Sequence, residues 1–419
     1  SARDMQAEVK ARFPGVDVLL MAAAVSDYRP TQAEIRKIKR SHEEMQFHLT
    51  QNPDILKQVA KLTRGQIVVG FAADRELPIV GAILTIPDLL NFWLTGHKAN
   101  EYTNATTTQC FNSREMCWAD EILSALGIPA RIFQSIIQPG TVLGRVRPWL
   151  AEETACGQVP VVAVGSHDTA SAVAAVPAED DNTIYISSGT WSLIGIEIPT
   201  PNISPASLQV NMTNEGGVGG TIRFLKNIMG MWLLQECRRE WAHAGKDYSY
   251  DDLTRLASEA PELKSLICPC DNTYLAPGNM VERIQEFCRR SSQPIPHTDG
   301  EVVRCILQSL ALEYQRNTET LRDLSGKTLP VIHIIGGGSR NRLLNQFAAN
   351  STGLRVITGP VEATAIGNIL VQSIALGHLA SLAEARQVVC QSFDVETYQP
   401  QERQVWDVAY QRFNDLLGR

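Results

Sequence analysis

The sequence predicts an α/β protein of two or three domains, on three observations. Short apolar runs of strand length alternate with stretches whose apolar residues recur at helical spacing, which implies a sheet with helices on its faces. The 419 residues exceed what one core usually organises. Polar or glycine-rich turns close several of the apolar runs, at Gly165, at Gly189-Thr190 and at Gly336-Gly337-Gly338.

Taken in order, residues 4–13 read as an amphipathic helix and 16–21 as a buried strand. A basic patch follows at 36–40. Asn52-Pro53-Asp54 then opens a helix to about residue 62, because Asn or Asp caps and an early proline are helix-start signals. Residues 66–71 form another short strand. The character changes near Leu77-Pro78. Beyond it, 83–95 and 114–126 read as helices, with a threonine-rich strand or loop at 103–110 between them, and 139–144 as a turn and strand. The apolar run 161–164 stops at Gly165, and Ser166-His167-Asp168-Thr169 leads into a small-residue helix, 169–176. Two β-rich runs, 183–188 and 191–197, flank Gly189-Thr190. Residues 214–220 are a glycine-rich connection. Helical spacing covers 224–241, 249–259 and 300–324. Residues 331–335 read as a buried strand, apolar but for His333, with a helix at 341–351 behind its glycines. Residues 355–358 are a strand and 362–376 a helix.

Bulk properties exclude several functions. A net charge of −7 argues against a general nucleic-acid binder, which would carry a basic excess. The most apolar window, 77–94, is interrupted by Asp88 and two prolines and is too short to span a bilayer. Residues 1–10 are polar and charged, with no secretory signal and no initiator methionine, the pattern of a fragment. Nine scattered cysteines without a secretion signal read as reduced cytoplasmic thiols. Cys268-Pro269-Cys270 offers two metal ligands, but no second close pair completes four, so a structural thiol is the competing reading and no metal site is assigned. A disulfide from Cys268 or Cys270 to Cys288 stays open.

Two pieces of the chain suit phosphoryl transfer. Asp168, at a strand-to-helix junction, reads either as a helix cap or as a general base for a hydroxyl. Gly189-Thr190 is either an ordinary hairpin turn or a place where backbone and hydroxyl approach a phosphate. The run 331–335 into three glycines and a helix can set backbone N–H groups against a nucleotide, and a plain tight turn is the alternative. It matches neither G-x-x-x-x-G-K-[ST] nor G-x-G-x-x-G.

From about residue 83 onward the chain resembles the rhamnulokinases of the FGGY carbohydrate kinase family. IPDLLNFWLTG, EYTNATTTQ, PGTVLG, VGSHDTASAVAAVPA, SSGTWSLIG, NEGGVGGTIRFLKNIMGMWLLQE, IIGGGSRNRLLNQFAAN and GPVEATAIGN carry the likeness, in order. The resemblance implies an actin-like (ribonuclease H-like) fold of two α/β domains facing across a cleft, with residues 78–176 the remnant of the sugar-binding domain and 177–419 the nucleotide-binding domain. It implies Asp168 as catalytic base, and Ser166, His167, Thr169 and Asn227 near a small ketose. Gly189, Thr190, Gln235, Gly336, Gly337 and Gly338 would line an ATP site. The implied reaction moves the γ-phosphoryl of ATP to O1 of L-rhamnulose with Mg²⁺, without nucleic acid or membrane as partner.

Residues 1–77 resemble instead a piece of the phosphopantothenoylcysteine synthetase domain of bifunctional coenzyme A biosynthesis proteins, through MAAAVSDYRP, KIKR, LTQNPDIL and VVGFAAD. That resemblance implies CTP contacts from Asp27, Lys37, Asn52, Pro53, Asp54 and Ile55. The Asp-x-Gly phosphate loop expected at the start of the kinase does not precede residue 83. The expectation is therefore a chimeric chain with a truncated sugar-binding domain and impaired kinase activity. The alternatives are a non-catalytic ATP-binding remnant or a ligase activity in residues 1–77.

Overall fold

The computed structural model describes residues 81–418 and, before them, residues 6, 7, 9–11, 18–21, 28–30, 49–51 and 67–70. The chain divides into two units, Ser1–Gly81 and Ala82–Arg419. In the first, Val18–Met21 runs parallel to Ile67–Gly70, and Tyr28–Pro30 runs antiparallel to Leu49–Gln51. The strands expected at 16–21 and 66–71 are thus present, and the described part of 4–13 is helical. The helix expected after Asn52 lies outside the described residues, as do Asp27, Lys37, Asn52, Pro53, Asp54 and Ile55.

The second unit begins with helix α1 (Ile86–Thr95), whose Thr85–Asp88 capping box and left-handed Gly96 fix both ends. Strand β1 (Thr141–Arg145) pairs antiparallel with β2 (Pro160–Ala163). Helix α2 (Asp168–Ala174) follows. Then come β3 (Thr183–Ser188), β4 (Trp191–Ile198), β5 (Thr213–Gly216), β6 (Ile222–Met229) and helix α3 (Trp232–His243). Beyond Tyr250–Glu259 lies the long helix α4 (Asp299–Ser325), opened by a Thr298–Glu301 capping box and closed by left-handed Gly326. The unit ends with β7 (Val331–Ile335), α5 (Arg342–Thr352), β8 (Arg355–Thr358), α6 (Ala363–Ala375), Leu382–Ser392, β9 (Thr397–Tyr398) and Arg403–Leu417.

One seven-stranded sheet, ordered β5-β6-β4-β3-β7-β8-β9, organises this unit. Strands β3, β7 and β8 are parallel, and the β3–β4, β4–β6 and β6–β5 pairs are antiparallel. Strand alternation sorts its side chains. Ile184, Ile186, Ile194, Ile196, Phe224, Ile228, Ile332 and Ile334 face a core shared with α4 and α5. Tyr185, Leu225 and Ile335 face the other way, against α2 and α6. The result is a three-layer sandwich whose central strands are apolar on both faces, as covered parallel strands require.

Three expectations need correction. The helical stretch at 224–241 is strand β6 followed by helix α3. All eight residues of β6 pair with β4, and a Cβ at Gly230, where the chain turns between them, would lie 2.6 Å from Ser192 Oγ. Apolar spacing suited both periods, and the tertiary pairing chose the strand. The threonine-rich segment is helical, Tyr102–Ala105 and Thr106–Thr108. The Thr106, Thr107 and Thr108 hydroxyls donate to the carbonyls three residues back, at 2.8, 2.8 and 2.7 Å, which offsets the strand preference of threonine. Residues 114–126 hold the end of a small hairpin (Phe111–Asn112 with Cys117–Trp118) before a short helix, Asp120–Ala125.

All nine cysteines are free thiols. Cys268, Cys270 and Cys288 are among them, so the disulfide left open between them is not formed. Burial pushes the thiols of both Cys268 and Cys270 up to about 11. Among the described residues no cluster of three or more His, Cys, Asp or Glu is arranged around a metal position, and no helix is long and apolar enough to cross a membrane.

Helices α2 and α6 cross without an intervening side chain. A Cβ at Gly367 would lie 1.7 Å from the Ser171 carbonyl oxygen. Alanine gains about 1 kcal/mol of helix propensity over glycine, which a backbone collision of this size outweighs. Gly367→Ala is expected to lower unfolding free energy by about 3 kcal/mol or more in denaturant titration. Gly81→Ala, where a Cβ meets nothing within 4 Å, is the control expected to stay within about 0.5 kcal/mol.

A second expectation concerns β7. Burial, with the Arg355 and Arg386 charges added, pushes His333 down to about 4. Its unfolded value is about 6.5. Between the two the unfolded chain takes the proton and the folded one does not, so stability present at neutral pH is lost as pH falls through this window. The loss is roughly 3 kcal/mol for this group. Unfolding free energies at about pH 7 and about pH 4 should differ less in His333→Gln than in the parent by that amount; an equal difference would contradict the assignment.

Candidate active site

The turn between β2 and α2 is built from below by a buried carboxylate. Glu101, fully buried at the end of the two-residue strand Asn100–Glu101, accepts the Ser166 N–H at 3.1 Å and the Ser166 hydroxyl at 2.6 Å. It also accepts the Thr103 N–H at 2.9 Å, the Thr103 hydroxyl at 2.5 Å and the Asn104 N–H at 3.4 Å. The Thr103 hydroxyl in turn accepts the His167 N–H at 3.0 Å. Asn104 Nδ2 donates to Ser166 Oγ at 3.1 Å. The EYTNATTTQ and GSHD segments are therefore one hydrogen-bonded unit.

Asp168 is the first residue of α2, and His167 occupies the capping position without a side-chain cap bond. The capping reading of Asp168 is met only by its immediate neighbour, since Oδ1 accepts Thr169 N–H at 2.6 Å and Thr169 Oγ1 at 3.2 Å. The Asp168 side chain is 80% exposed. Every contact it makes among the described residues uses Oδ1, which leaves Oδ2 open to an incoming hydroxyl. Thr169 is buried.

His167 lies between two carboxylates, with Nδ1 3.6 Å from Asp168 Oδ1 and Nε2 3.9 Å from Glu215 Oε2. Glu215, on edge strand β5, is held by Arg223 of β6, whose Nη2 is 3.0 Å from Oε2. The fully buried Arg223 also donates from Nε to the Gly216 carbonyl at 2.9 Å. Burial and the Arg223 charge lower the His167 imidazole pKa, while Glu215 and Asp168 oppose the shift. Asn227 is exposed on the same face of β6 as Arg223, paired in register with Leu193.

The second half of the site sits at the carboxyl ends of β3 and β7, where ligands bind in open α/β sheets. The Gly189-Thr190 turn is fixed by Gly189 N–H to Trp191 O at 2.8 Å, Met231 N–H to Gly189 O at 3.0 Å and Trp232 N–H to Thr190 O at 3.0 Å. The exposed Thr190 hydroxyl donates to Gln235 Oε1 of α3 at 3.1 Å, so these two expected residues meet. Gly336, with φ of +83°, carries the chain out of β7 onto Ser188, and a Cβ at Gly338 would lie 2.0 Å from Ser188 Oγ. Both glycine turns thus meet at Ser188. Gly337 is exposed, and a Cβ there would meet nothing within 4 Å, so its backbone stands open.

The segment 360–364 touches both halves. Gly336 N–H donates to Pro360 O at 3.2 Å, and four residues later the Thr364 hydroxyl donates to Asp168 O at 3.3 Å. A carboxylate able to accept a proton therefore stands at the start of α2, and an open glycine turn stands at the start of the same 360–364 bridge. Sequence reasoning missed Glu101, Glu215 and Arg223. An arginine inside the apolar run Ile222-Arg223-Phe224-Leu225 was the available signal for the last.

Residues 184–376 match the FGGY family of carbohydrate kinases, C-terminal domain, and residues 1–82 match the DNA/pantothenate metabolism flavoprotein C-terminal domain. A rhamnulokinase of Bacteroides thetaiotaomicron is 45% identical over 344 residues, which is 82% of this chain and 70% of that one. A rhamnulokinase of Oceanobacillus iheyensis is 44% identical over 317 residues, 76% of this chain and 66% of that one. Among solved structures, a ligand-bound xylulose kinase from Lactobacillus acidophilus aligns with a TM-score of 0.65 at 16% identity, over 81% of this chain and 68% of that one. A Plasmodium falciparum glycerol kinase with ADP aligns at 0.61 and 15% identity, over 79% of this chain and 66% of that one. The structural likeness establishes a shared fold, and that fold is the actin-like one the sequence implied.

His167 should titrate below the ordinary histidine range. Glu215→Gln removes a carboxylate that favours the imidazolium and leaves Arg223, so it should lower the His167 value further. Histidine ring resonances followed through a pH titration, with His167→Gln for assignment, read this directly; an unchanged or raised value in the Gln variant would contradict the arrangement.

Proposed function

Because the chain belongs to the FGGY family of carbohydrate kinases, and is a sugar kinase by that membership, we propose that its substrate is L-rhamnulose, phosphorylated at O1 by ATP. The observation that carries this is the pairing of the exposed Asp168 carboxylate with two glycine turns that meet at Ser188, linked through residues 360–364. The identity of 45% over most of the chain to a protein described as a rhamnulokinase supports the choice of sugar.

In this reading residues 78–176 hold the sugar side and residues 177–419 the nucleotide side. Asp168 Oδ2 takes the O1 proton as the hydroxyl attacks in line, since a positioned base of this kind typically contributes about 10²–10⁴-fold. Ser166, His167, Thr169 and Asn227 surround the ketose. Gly189, Thr190 and Gln235 hold the nucleotide from one side, and the Gly336–Gly338 turn, open at Gly337, approaches it from the other. Mg²⁺ is carried in on the ATP phosphates, as is usual for an ion that keeps most of its water shell, and neutralises their charge.

We infer that turnover is weak. The similarity spans 70% of the Bacteroides relative, and residues 1–82 match a different family rather than a sugar kinase. A ligase activity in the first unit is the second reading, favoured only by that match. In this reading the substrates are small and soluble and the reaction runs in the cytoplasm.

A coupled assay for ADP release with L-rhamnulose tests the proposal. The expected result is slow but measurable turnover that Asp168→Asn reduces by about 100-fold or more while the melting temperature stays unchanged. Turnover that survives in Asp168→Asn would overturn the assignment of the base.

A further inference from the structure

Glu101 takes no part in the chemistry proposed above, yet it is the most heavily hydrogen-bonded carboxylate near Asp168. We propose that Glu101 is a positioning residue for the sugar: it commits the Ser166 hydroxyl proton inward, and so makes Ser166 an acceptor that selects a ketose hydroxyl able to donate. The inference rests on the reading of residues 166–169 as the sugar side of the site.

The donor inventory carries the argument. A serine hydroxyl has one proton and two acceptor positions. The Ser166 proton goes to Glu101 at 2.6 Å, and one acceptor position takes Asn104 Nδ2 at 3.1 Å. One acceptor position remains and no donor. The polarity cannot reverse easily, because three of the five groups that Glu101 accepts are backbone N–H groups, of Thr103, Asn104 and Ser166, and those can only donate. Five donors on one carboxylate call for its acceptor-only, ionised form, although burial works to raise its pKa.

Glu101 is itself held from behind. The buried Asp88 accepts the Glu101 N–H at 3.0 Å and Asn100 Nδ2 at 2.9 Å, and Asp88 closes the cap of α1 through Thr85. The line from Asp88 through Glu101 to Ser166 is continuous, buried at Asp88 and Glu101 and half-buried at Ser166, where a ligand can reach it. A hydroxyl oriented by such a line is worth more for selectivity than a freely rotating one, because a partner of the wrong polarity leaves a polar group unpaired.

The test uses the full chain with L-rhamnulose and its monodeoxy analogues in calorimetric titrations, on the parent, Glu101→Gln, Ser166→Ala and the double variant. Glutamine has a single acceptor oxygen and adds a donor, so Glu101→Gln should weaken L-rhamnulose binding about tenfold or more. It should also erase the penalty for removing one particular ketose hydroxyl. Ser166→Ala should do the same, and the double variant should add no further loss. Parent-like binding by Glu101→Gln, or fully additive losses, would overturn the inference and leave the kinase reading intact.

Amide hydrogen exchange over residues 160–170 separates the two readings. If the parent binds no ketose, the sugar reading falls, and exchange decides the clamp. Faster exchange confined to that segment in Glu101→Gln supports it, and unchanged exchange overturns it. Should Glu101→Gln fail to fold, Ser166→Ala against the deoxy series decides: an undiminished penalty for every missing hydroxyl would overturn the proposal.

Discussion

The absence of a side chain at position 367 lets two backbones touch, and the site depends on that contact. With a glycine there, the Ser171 carbonyl of α2 lies directly against α6. The start of α6 is thereby brought to the start of α2, where Thr364 binds the Asp168 carbonyl. The same connection, five residues earlier, lies against the end of β7, where Gly359 N–H donates to Ile334 O at 2.8 Å. The helix that carries a carboxylate and the strand that carries a glycine turn are thus set by one backbone approach. A sheet whose central strands are apolar on both faces supplies the rigid base beneath them.

Buried charge supplies the second level of order. Arg223, Glu101 and Asp88 are all withdrawn from water, and such groups seldom add net stability, because desolvation consumes much of what pairing returns. What they provide is a single arrangement. Arg223 fixes Glu215, which faces His167, and Glu101 fixes Ser166 and, through Thr103, the His167 amide. The Ser166–Asp168 turn is held from two different strands, so its conformation does not rest on the short helix α2 alone.

Legibility in the sequence followed physical range. Val331–Ile335 was readable because a strand buried on both faces is apolar along its length, here at every position but His333. Gln235 followed only from family resemblance, since nothing local links it to Thr190, 45 positions earlier. Residues 224–229 read as the start of a helix because their apolar residues suit either period, and only pairing with Trp191–Ile198 decides between them. Glu101 was invisible as a site residue for a similar reason: its main partner is 65 positions away, and a lone glutamate ordinarily marks a solvated surface. Residues 103–110 misled in the opposite sense, as threonines that favour strands were turned into helix by their own hydroxyl bonds.

We propose that Asp168 and the two glycine turns act on one substrate pair. A crystal structure of the chain with L-rhamnulose and a non-hydrolysable ATP analogue tests it most directly. The terminal phosphates are expected against Gly189-Thr190 and Gly337, with the ketose O1 within hydrogen-bond reach of Asp168 Oδ2. A nucleotide bound away from both turns, or an O1 beyond the reach of Asp168, would contradict it.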